Sequence, residues 1–279
     1  MPLFLCIVVK VQDLLNILQD IAPNSLAQAW DNVGLLVGSP HDRVTSVLLA
    51  LDPTVPLVAA AQDCAAELII THHPAIFHPL KSLRADQPVG HFIFSAVQAG
   101  INVIGCHTNL DSTCGGVNDV LAQLLGVIDT VPLLPDTSES CDRRCGLGRV
   151  GVLRESVLPE AFVVDVYKAL SAPWLLEAGL RPESVSKVAV CGGSCSDLSA
   201  TALSAGADVF ITSEVKHDVA RWAEAVGLWL LDAGHYSTEN LAMEGLRQLL
   251  ADRLHAAGMN VRLHLGHQEA PLRLVARES

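Results

Sequence analysis

Hydrophobic and polar positions along this chain follow two patterns, one typical of helices and one typical of buried strands. Residues 11–21 have apolar side chains at helical spacing and stop before Pro23, which predicts an amphipathic first helix. Residues 30–38 contain Asp, Asn and Gly ahead of apolar residues, which predicts a turn that leads into a strand. Residues 44–51 form a largely apolar run, as in a buried parallel strand.

Helices and strands then alternate through the first half of the chain. The pattern predicts a helix at residues 55–66, a strand at residues 67–71, a helix at residues 91–99 and a strand at residues 101–105. This alternation is typical of a parallel sheet covered by helices.

The same alternation returns in the second half, with a spacing that indicates an internal duplication. Residues 185–190 resemble residues 44–49, and residues 208–212 resemble residues 67–71, each pair 141 positions apart (185 against 44, and 212 against 71). We therefore predict an α/β fold in which two similar lobes of strand–helix–strand units pack around a crevice.

The predicted lobes are residues 1–126 and residues 127–279, and the second includes a connecting segment. No stretch is long or biased enough in composition to act as a free linker, so the lobes are expected to form one compact unit. The connecting segment holds a polar loop at residues 136–144 and a GxGxxG sequence at residues 146–151. A dinucleotide fingerprint follows a strand and opens a helix. Here the loop precedes the glycines and an apolar strand pattern follows, so a strand that needs small residues is the preferred interpretation.

Composition and charge exclude several classes of function. Half of the residues are hydrophobic and 17% are charged, which predicts a globular chain. A net charge of −12 argues against nucleic-acid binding but leaves open small anions held through a metal. Residues 88–110 are uncharged, yet histidines and glycines divide them into short blocks, which argues against a membrane span.

The N-terminus and the cysteines favour a cytoplasmic protein. Residues 1–9 are apolar but have no basic residue before them and no cleavage site after them, so we interpret them as native structure rather than a signal peptide. We expect the eight cysteines to be reduced thiols. Cys141 with Cys145, and Cys191 with Cys195, have CxxxC spacing, which differs from the CxxC of ribbon-type zinc sites.

Histidines and carboxylates follow the predicted strands, where open parallel sheets bind ligands. His72 and His73 follow the second strand directly. Neighbouring strand residues point to opposite faces, so two adjacent imidazoles would more naturally serve two metals than chelate one.

Two further pairs join an imidazole to a carboxylate. His107 with Asp111, and His235 with Glu239, have i, i+4 spacing that stacks each pair on one side of a helical turn. In the second copy, the strand at residues 208–212 corresponds to the strand before His72 and His73. Glu214 and His217 follow this strand. Both are candidates for contacts to the ligands or to a substrate. The remaining histidines have no partner spacing and are interpreted as surface or internally satisfied residues: His78, His91, His255, His264 and His267.

Imidazoles and carboxylates without thiolate favour a particular group of ions. The mixture suits zinc, iron, manganese or nickel and disfavours calcium or a structural zinc site. Two divalent ions need about eight or more coordination positions, to which bridging carboxylates and solvent contribute. Two such ions against two carboxylates leave positive charge, which would hold an anionic substrate.

Separated motifs of this chain resemble a known family. The motifs are residues 30–38, 71–74, 105–111 with 115–118, 212–218 and 234–239. Together they are similar to the Nif-three-like family, also catalogued as GTP cyclohydrolase I type 2 homologues, and the resemblance runs from about residue 11 to about residue 250. The chain is too short for the middle domain that longer members carry, and residues 146–151 resemble the glycine-containing segment of the family.

The resemblance implies a site and leaves the function open. It implies a ring-shaped homohexamer and a dinuclear metal centre with His107 beside the ligands, which would be His72, His73, Asp111, His235 and Glu239. The first function hypothesis is a metal-dependent hydrolase of the GTP cyclohydrolase I type 2-like class, acting on an anionic, nucleotide-like substrate, with His107 or Glu214 moving protons. The alternative is a non-catalytic metal-binding scaffold, metal carrier or interaction protein.

Overall fold

The computed structural model describes residues 8–136 and residues 144–275. The chain divides into two compact units, one made of residues 1–110 and 243–268 and the other of residues 111–242 and 269–279. The boundaries of these units differ from those of the expected lobes, residues 1–126 and 127–279. Most of the predicted N-terminal segment and polar loop, together with Cys141, lies outside the described residues.

The helices are α1 (Val11–Ile21), α2 (Val55–Asp63), α3 (Pro88–Gln98), α4 (Thr108–Ser112), α5 (Val117–Leu124), α6 (Pro159–Leu170), α7 (Ser199–Ser204), α8 (His217–Val226), α9 (His235–Glu239) and α10 (Ala242–Ala256). The strands are β1 (Gly34–Val37), β2 (Ser46–Ala50), β3 (Leu68–Thr71), β4 (Asn102–Gly105), β5 (Ile128–Pro135), β6 (Gly146–Val157), β7 (Leu176–Ala178), β8 (Val185–Val190), β9 (Val209–Thr212), β10 (Trp229–Asp232) and β11 (Arg262–Leu265). Each strand that the sequence predicts in the two similar halves is present.

The sheet of the first unit has the order β1-β4-β3-β2-β11. Strands β2, β3 and β4 pair in parallel, β11 joins β2 in parallel, and β1 pairs with β4 in antiparallel. Leu48, Ile69 and Val103 pack on one face with side chains of α2 and α3. Their neighbours in sequence are also buried. Burial on both faces explains why these strands are apolar throughout.

The sheet of the second unit has the order β5-β6-β8-β9-β10-β7. Strands β8, β9 and β10 pair in parallel, as β2, β3 and β4 do in the first unit, which supports the duplication. The parallel pairing expected from the sequence is present in both sheets, and β1, β5, β6 and β7 add antiparallel pairs beside it. Strands β8 to β10 are again buried on both faces, since alternate residues belong to two separate apolar clusters.

The GxGxxG sequence forms the start of β6 and opens no helix, as the sequence interpretation expected. A Cβ at Gly146 would lie 2.3 Å from the Leu134 carbonyl oxygen, and a Cβ at Gly151 would lie 2.4 Å from the Ile128 carbonyl oxygen. The glycines therefore permit close antiparallel pairing with β5.

Arg149, inside the same segment, is buried and was not singled out from the sequence. Its guanidinium forms an ion pair with Asp119. It also donates to the carbonyl oxygens of Gly146 and Gly148 at 2.7 Å each and to that of Thr113 at 3.0 Å. These bonds tie β6 to the start of α5.

Two further expectations concern the membrane and the thiols. Within the described ranges, no helix is long and apolar enough to cross a membrane. Cys145 is disulfide-bonded, so the expectation of reduced thiols is wrong at that position. The free thiols among the described residues are Cys64, Cys106, Cys114, Cys191 and Cys195.

Candidate metal centre

In the first unit, His72 and His73 continue the pairing of β3 with β2 beyond the end of the strand. The His72 amide donates to the Ala50 carbonyl at 3.2 Å, and the His73 amide donates to the Leu51 carbonyl at 2.9 Å. The backbone of both histidines is therefore held by the sheet. This is the carboxyl end of parallel strands, where α/β sheets bind ligands.

Each histidine of this group donates from Nδ1 to an oxygen. His72 Nδ1 donates to the Cys106 carbonyl at 2.9 Å. His73 Nδ1 donates to Asp52 Oδ1 at 2.7 Å, and His107 Nδ1 donates to Asp31 Oδ1 at 2.9 Å. The proton of each neutral ring then sits on Nδ1, and Nε2 carries the lone pair that a metal would take. This arrangement is common for metal-ligating histidines.

The three imidazoles lie close enough to serve metal ions. One ring nitrogen of each of His72, His73 and His107 lies within 4.8 Å of the others. The ring centroids of His72 and His73 are 5.1 Å apart, and those of His73 and His107 are 5.6 Å apart. His72 is fully buried and His107 largely so, and such closely packed imidazoles suit a borderline divalent ion.

Asp31 orients His107 and is itself held in its ionised form. Burial raises the pKa of Asp31, but hydrogen bonds from His107 and Thr108 outweigh burial and lower the pKa from 3.8 to about 2. The Thr108 amide donates to Asp31 Oδ2 at 3.0 Å, and the Thr108 hydroxyl donates to the same oxygen. Asp31 is thus a fixed negative charge behind the His107 ring.

In the second unit, α9 confirms the predicted pairing of His235 with Glu239. Gly234, with φ of 78°, begins this short helix, and His235 Nε2 lies 2.9 Å from Glu239 Oε2. On its other side His235 Nδ1 lies 2.8 Å from Glu214 Oε1. Glu214 therefore contacts Nδ1 of His235 in the same way that Asp31 contacts Nδ1 of His107.

Asp111 and Glu239 bring two buried carboxylates together in the second unit. An oxygen of one lies within 4.8 Å of an oxygen of the other. Asn118, also buried, donates to the Asp111 carbonyl at 3.0 Å and accepts a hydrogen bond from the Gly192 amide at 2.9 Å. Two negative charges at this distance repel each other in a buried site, and a divalent cation would neutralise them.

The thiol of Cys191 is influenced by the same negative charges. A hydrogen bond with Cys195, burial and the charge of Cys195 raise the pKa of Cys191 well above its ordinary value. The charges of Asp111 and Glu239 add to this rise. The local potential is negative, which favours a cation and keeps this thiol protonated.

Glycine is required next to Glu239. Gly193 has φ of +72°, and a Cβ there would lie 2.1 Å from Glu239 Oε1 and 3.4 Å from His235 Nε2. The Gly193 amide also donates to Thr238 Oγ1 at 3.1 Å. The turn after β8 is therefore shaped to leave room for the carboxylate.

The two remaining site candidates from the sequence are His217 and Glu214. His217 is exposed at the start of α8, and Glu214 contacts His235 as described. Burial of Glu214 raises its pKa, but hydrogen bonds from His235 and Ser194 lower it below the ordinary value. Exposed histidines that the sequence left without a partner are His78, His91, His255 and His267.

Asp31 and Asp52 were missed as partners of the histidines. Asp31 lies in the segment that the sequence indicated as a turn, and Asp52 directly follows the predicted strand at residues 44–51. The available signal was position, because a carboxylate at the carboxyl end of a strand can reach side chains at the end of the neighbouring parallel strand.

Comparisons with known proteins agree with the fold described above. The model of the family Duf34/NIF3 (NGG1p interacting factor 3) matches residues 9–271. A GTP cyclohydrolase 1 type 2 homolog of Clostridium perfringens is 34% identical over 250 residues, covering 88% of this chain and 92% of the relative. The homolog of the same name from Lactococcus lactis is 34% identical over 262 residues, covering 91% of this chain and 95% of the relative.

A solved structure is also similar over nearly the whole chain. The crystal structure of a Staphylococcus aureus hypothetical protein superposes with a TM-score of 0.90 at 30% identity and covers 96% of this chain and 100% of that chain. The family model spans more than half of the chain, so the chain belongs to the Duf34/NIF3 family.

Proposed function

We propose that this protein is a metal-dependent hydrolase that acts on an anionic, nucleotide-like substrate. The observation that carries the proposal is the set of three imidazoles whose Nδ1 atoms all donate to oxygens, with one ring nitrogen of each within 4.8 Å of the others. Rings oriented in this way leave Nε2 available, for coordination in His72 and His73 and for proton transfer in His107.

We further propose a dinuclear centre of zinc, iron, manganese or nickel, with His72, His73, Asp111, His235 and Glu239 as its ligands. Support comes from the donor types, imidazole and carboxylate without thiolate. It also comes from the two carboxylates within 4.8 Å and from the resemblance of the motifs to the family.

The residues around the ligands have separable roles in this proposal. Bound divalent ions would supply Lewis-acid activation of water and of an anionic substrate. Asp31 keeps a proton on His107 Nδ1, so that His107 Nε2 can accept a proton and return it. Glu214 holds the Nδ1 proton of His235 and orients that ring. The predicted participation of Glu214 in moving protons stays a prediction.

The substrate class rests on charge and on the relatives. Curated relatives carry the name GTP cyclohydrolase 1 type 2 homolog, which supports a nucleotide. Divalent ions would offset the overall negative charge of the chain locally and hold the phosphate groups.

Metal analysis tests the ligands. The wild type is expected to hold metal, and His72→Ala and His235→Ala are expected to lose most of it. His255→Ala is the matched control, because His255 is exposed on α10. Equal metal content in all four proteins would end the proposal of a metal centre.

Turnover tests the hydrolase separately. The metal-loaded protein is expected to hydrolyse GTP or another nucleotide, and Glu239→Gln is expected to lose most of that rate with the fold intact by circular dichroism. Metal that exchanges freely without turnover of any nucleotide or phosphoester would instead identify a carrier or scaffold.

The homohexamer is likewise a proposal. Light scattering tests it, with an expected mass six times that of the 29.6 kDa chain.

A further inference from the structure

Two exposed aromatic side chains flank His107 in the first unit. Trp30 is 59% exposed and Phe77 is 42% exposed. The Trp30 and Phe77 rings are 5.6 Å apart between centroids, and each is 6.0 Å from the His107 ring. Aromatic residues make up only 4% of this chain. Two of them in contact with each other and exposed beside an imidazole cluster are typical of a binding surface.

The loops that carry these rings are fixed by hydrogen bonds. Next to Trp30, Asp31 accepts bonds from His107 and Thr108, and Asn32 donates from its side chain to the Ile76 carbonyl at 2.6 Å. The last bond ties the segment of Trp30 to the residue before Phe77. The aromatic rings are thus held in place at the surface by polar contacts, without being covered by the core.

Phe77 also lines a cavity of about 690 Å³, within the size range of small-molecule sites. Its walls include Pro53, Thr54, Pro74, Gln87 and Phe92. Pro53 follows Asp52 and Pro74 follows His73 in the chain, so the cavity adjoins the bonded pair of Asp52 and His73. Space for a ligand and exposed aromatic rings therefore meet at Phe77.

We propose that Trp30 and Phe77 form a stacking site for the planar heteroaromatic ring of the substrate, of the nucleobase class. Stacking on an aromatic face needs no particular hydrogen-bond pattern, and its contribution to nucleobase binding is substantial. This inference rests on the proposed function, because the phosphate of the same ligand is held by the metal ions.

The experiment compares two probes that differ by the base alone, guanosine monophosphate and ribose 5-phosphate. Calorimetry on the metal-loaded wild type is expected to show guanosine monophosphate binding about 10- to 100-fold more tightly. Trp30→Ala and Phe77→Ala are each expected to lose most of that preference, with metal content and affinity for ribose 5-phosphate unchanged. Trp30→Phe keeps an aromatic face and retains the preference. Val97→Ala, at an exposed apolar position on α3, behaves as the wild type.

Each other result identifies which proposal fails. Equal affinity of the wild type for both probes, or an unchanged preference in Trp30→Ala and Phe77→Ala, overturns the stacking site and leaves the metal centre standing. A change of oligomeric mass in Trp30→Ala with the preference intact assigns this aromatic surface to a contact between copies and also overturns it. A metal-loaded protein that binds neither probe refutes the anionic substrate, and the stacking site with it.

Discussion

Replacing Asp31 by Asn tests whether this carboxylate both stabilises the fold and orients His107. The carboxylate accepts hydrogen bonds from the His107 ring, the Thr108 amide and the Thr108 hydroxyl. Its pKa is lowered from 3.8 to about 2, and a shift of this size corresponds to about 2 kcal/mol. A hydrogen bond to a charged group contributes about 1.5–3 kcal/mol, which agrees with that value.

We therefore expect Asp31→Asn to lower the free energy of unfolding of the metal-free protein by about 2 kcal/mol at pH 7, measured by urea denaturation. A carboxyl group with a lowered pKa in the folded state stabilises the fold above its unfolded pKa of about 3.9. That stabilisation disappears as the pH falls through 4 toward about 2. The difference between wild type and variant should be constant from neutral pH down to about 5 and shrink below about 4.

The second measurement is the affinity for zinc. Loss of the group that orients a histidine typically weakens metal binding by about 10- to 100-fold, so a smaller effect in the same direction is expected for His107, which lies beside the proposed ligands. Asp63→Asn is the control, because Asp63 is exposed at the end of α2. Equal stability of Asp31→Asn and wild type at pH 7, or a difference that grows as the pH falls, would refute the reasoning.

Two other substitutions test parts of the second unit. Gly193→Ala is expected to reduce metal content, because its Cβ would displace the Glu239 carboxylate oxygen 2.1 Å away. Gly206→Ala has a similar φ of +75°, but its Cβ would meet only the Lys187 amine at 3.9 Å, an ordinary contact, so this variant should keep its metal. Both should lose about 1–2 kcal/mol of stability from left-handed strain, so metal analysis separates them. Arg149→Met removes the buried end of an ion pair, leaves Asp119 and three carbonyl oxygens without this donor, and should cost about 3–5 kcal/mol in thermal or urea unfolding. The exposed Arg154→Met should change stability by less than about 0.5 kcal/mol, and equal losses in the two variants would contradict the structural role of Arg149.

Local pattern was sufficient to predict the helices and strands of the two similar halves and the histidines that follow their strands. The helix expected at residues 11–21 is α1, and β3 and β9 begin 141 positions apart (68 and 209), as the duplication required. Continuous apolar runs specify buried strands because both faces must exclude water. The histidines at the strand ends, and the i, i+4 pair of His235 with Glu239, follow from the same local periodicity.

Tertiary structure alone decided which distant groups meet. Strand β11 pairs with β2, although the two are separated by about 200 residues, so the end of the chain belongs to the first unit. Asp31 reaches His107, and Arg149 gathers carbonyl oxygens around a buried charge. Periodicity reports which face of an element is apolar, but the partner of a polar side chain depends on strand order and register across the whole sheet. For that reason the sequence indicated candidate metal ligands, whereas Asp31 and Asp52 became visible as the partners of His107 and His73 only in the folded chain.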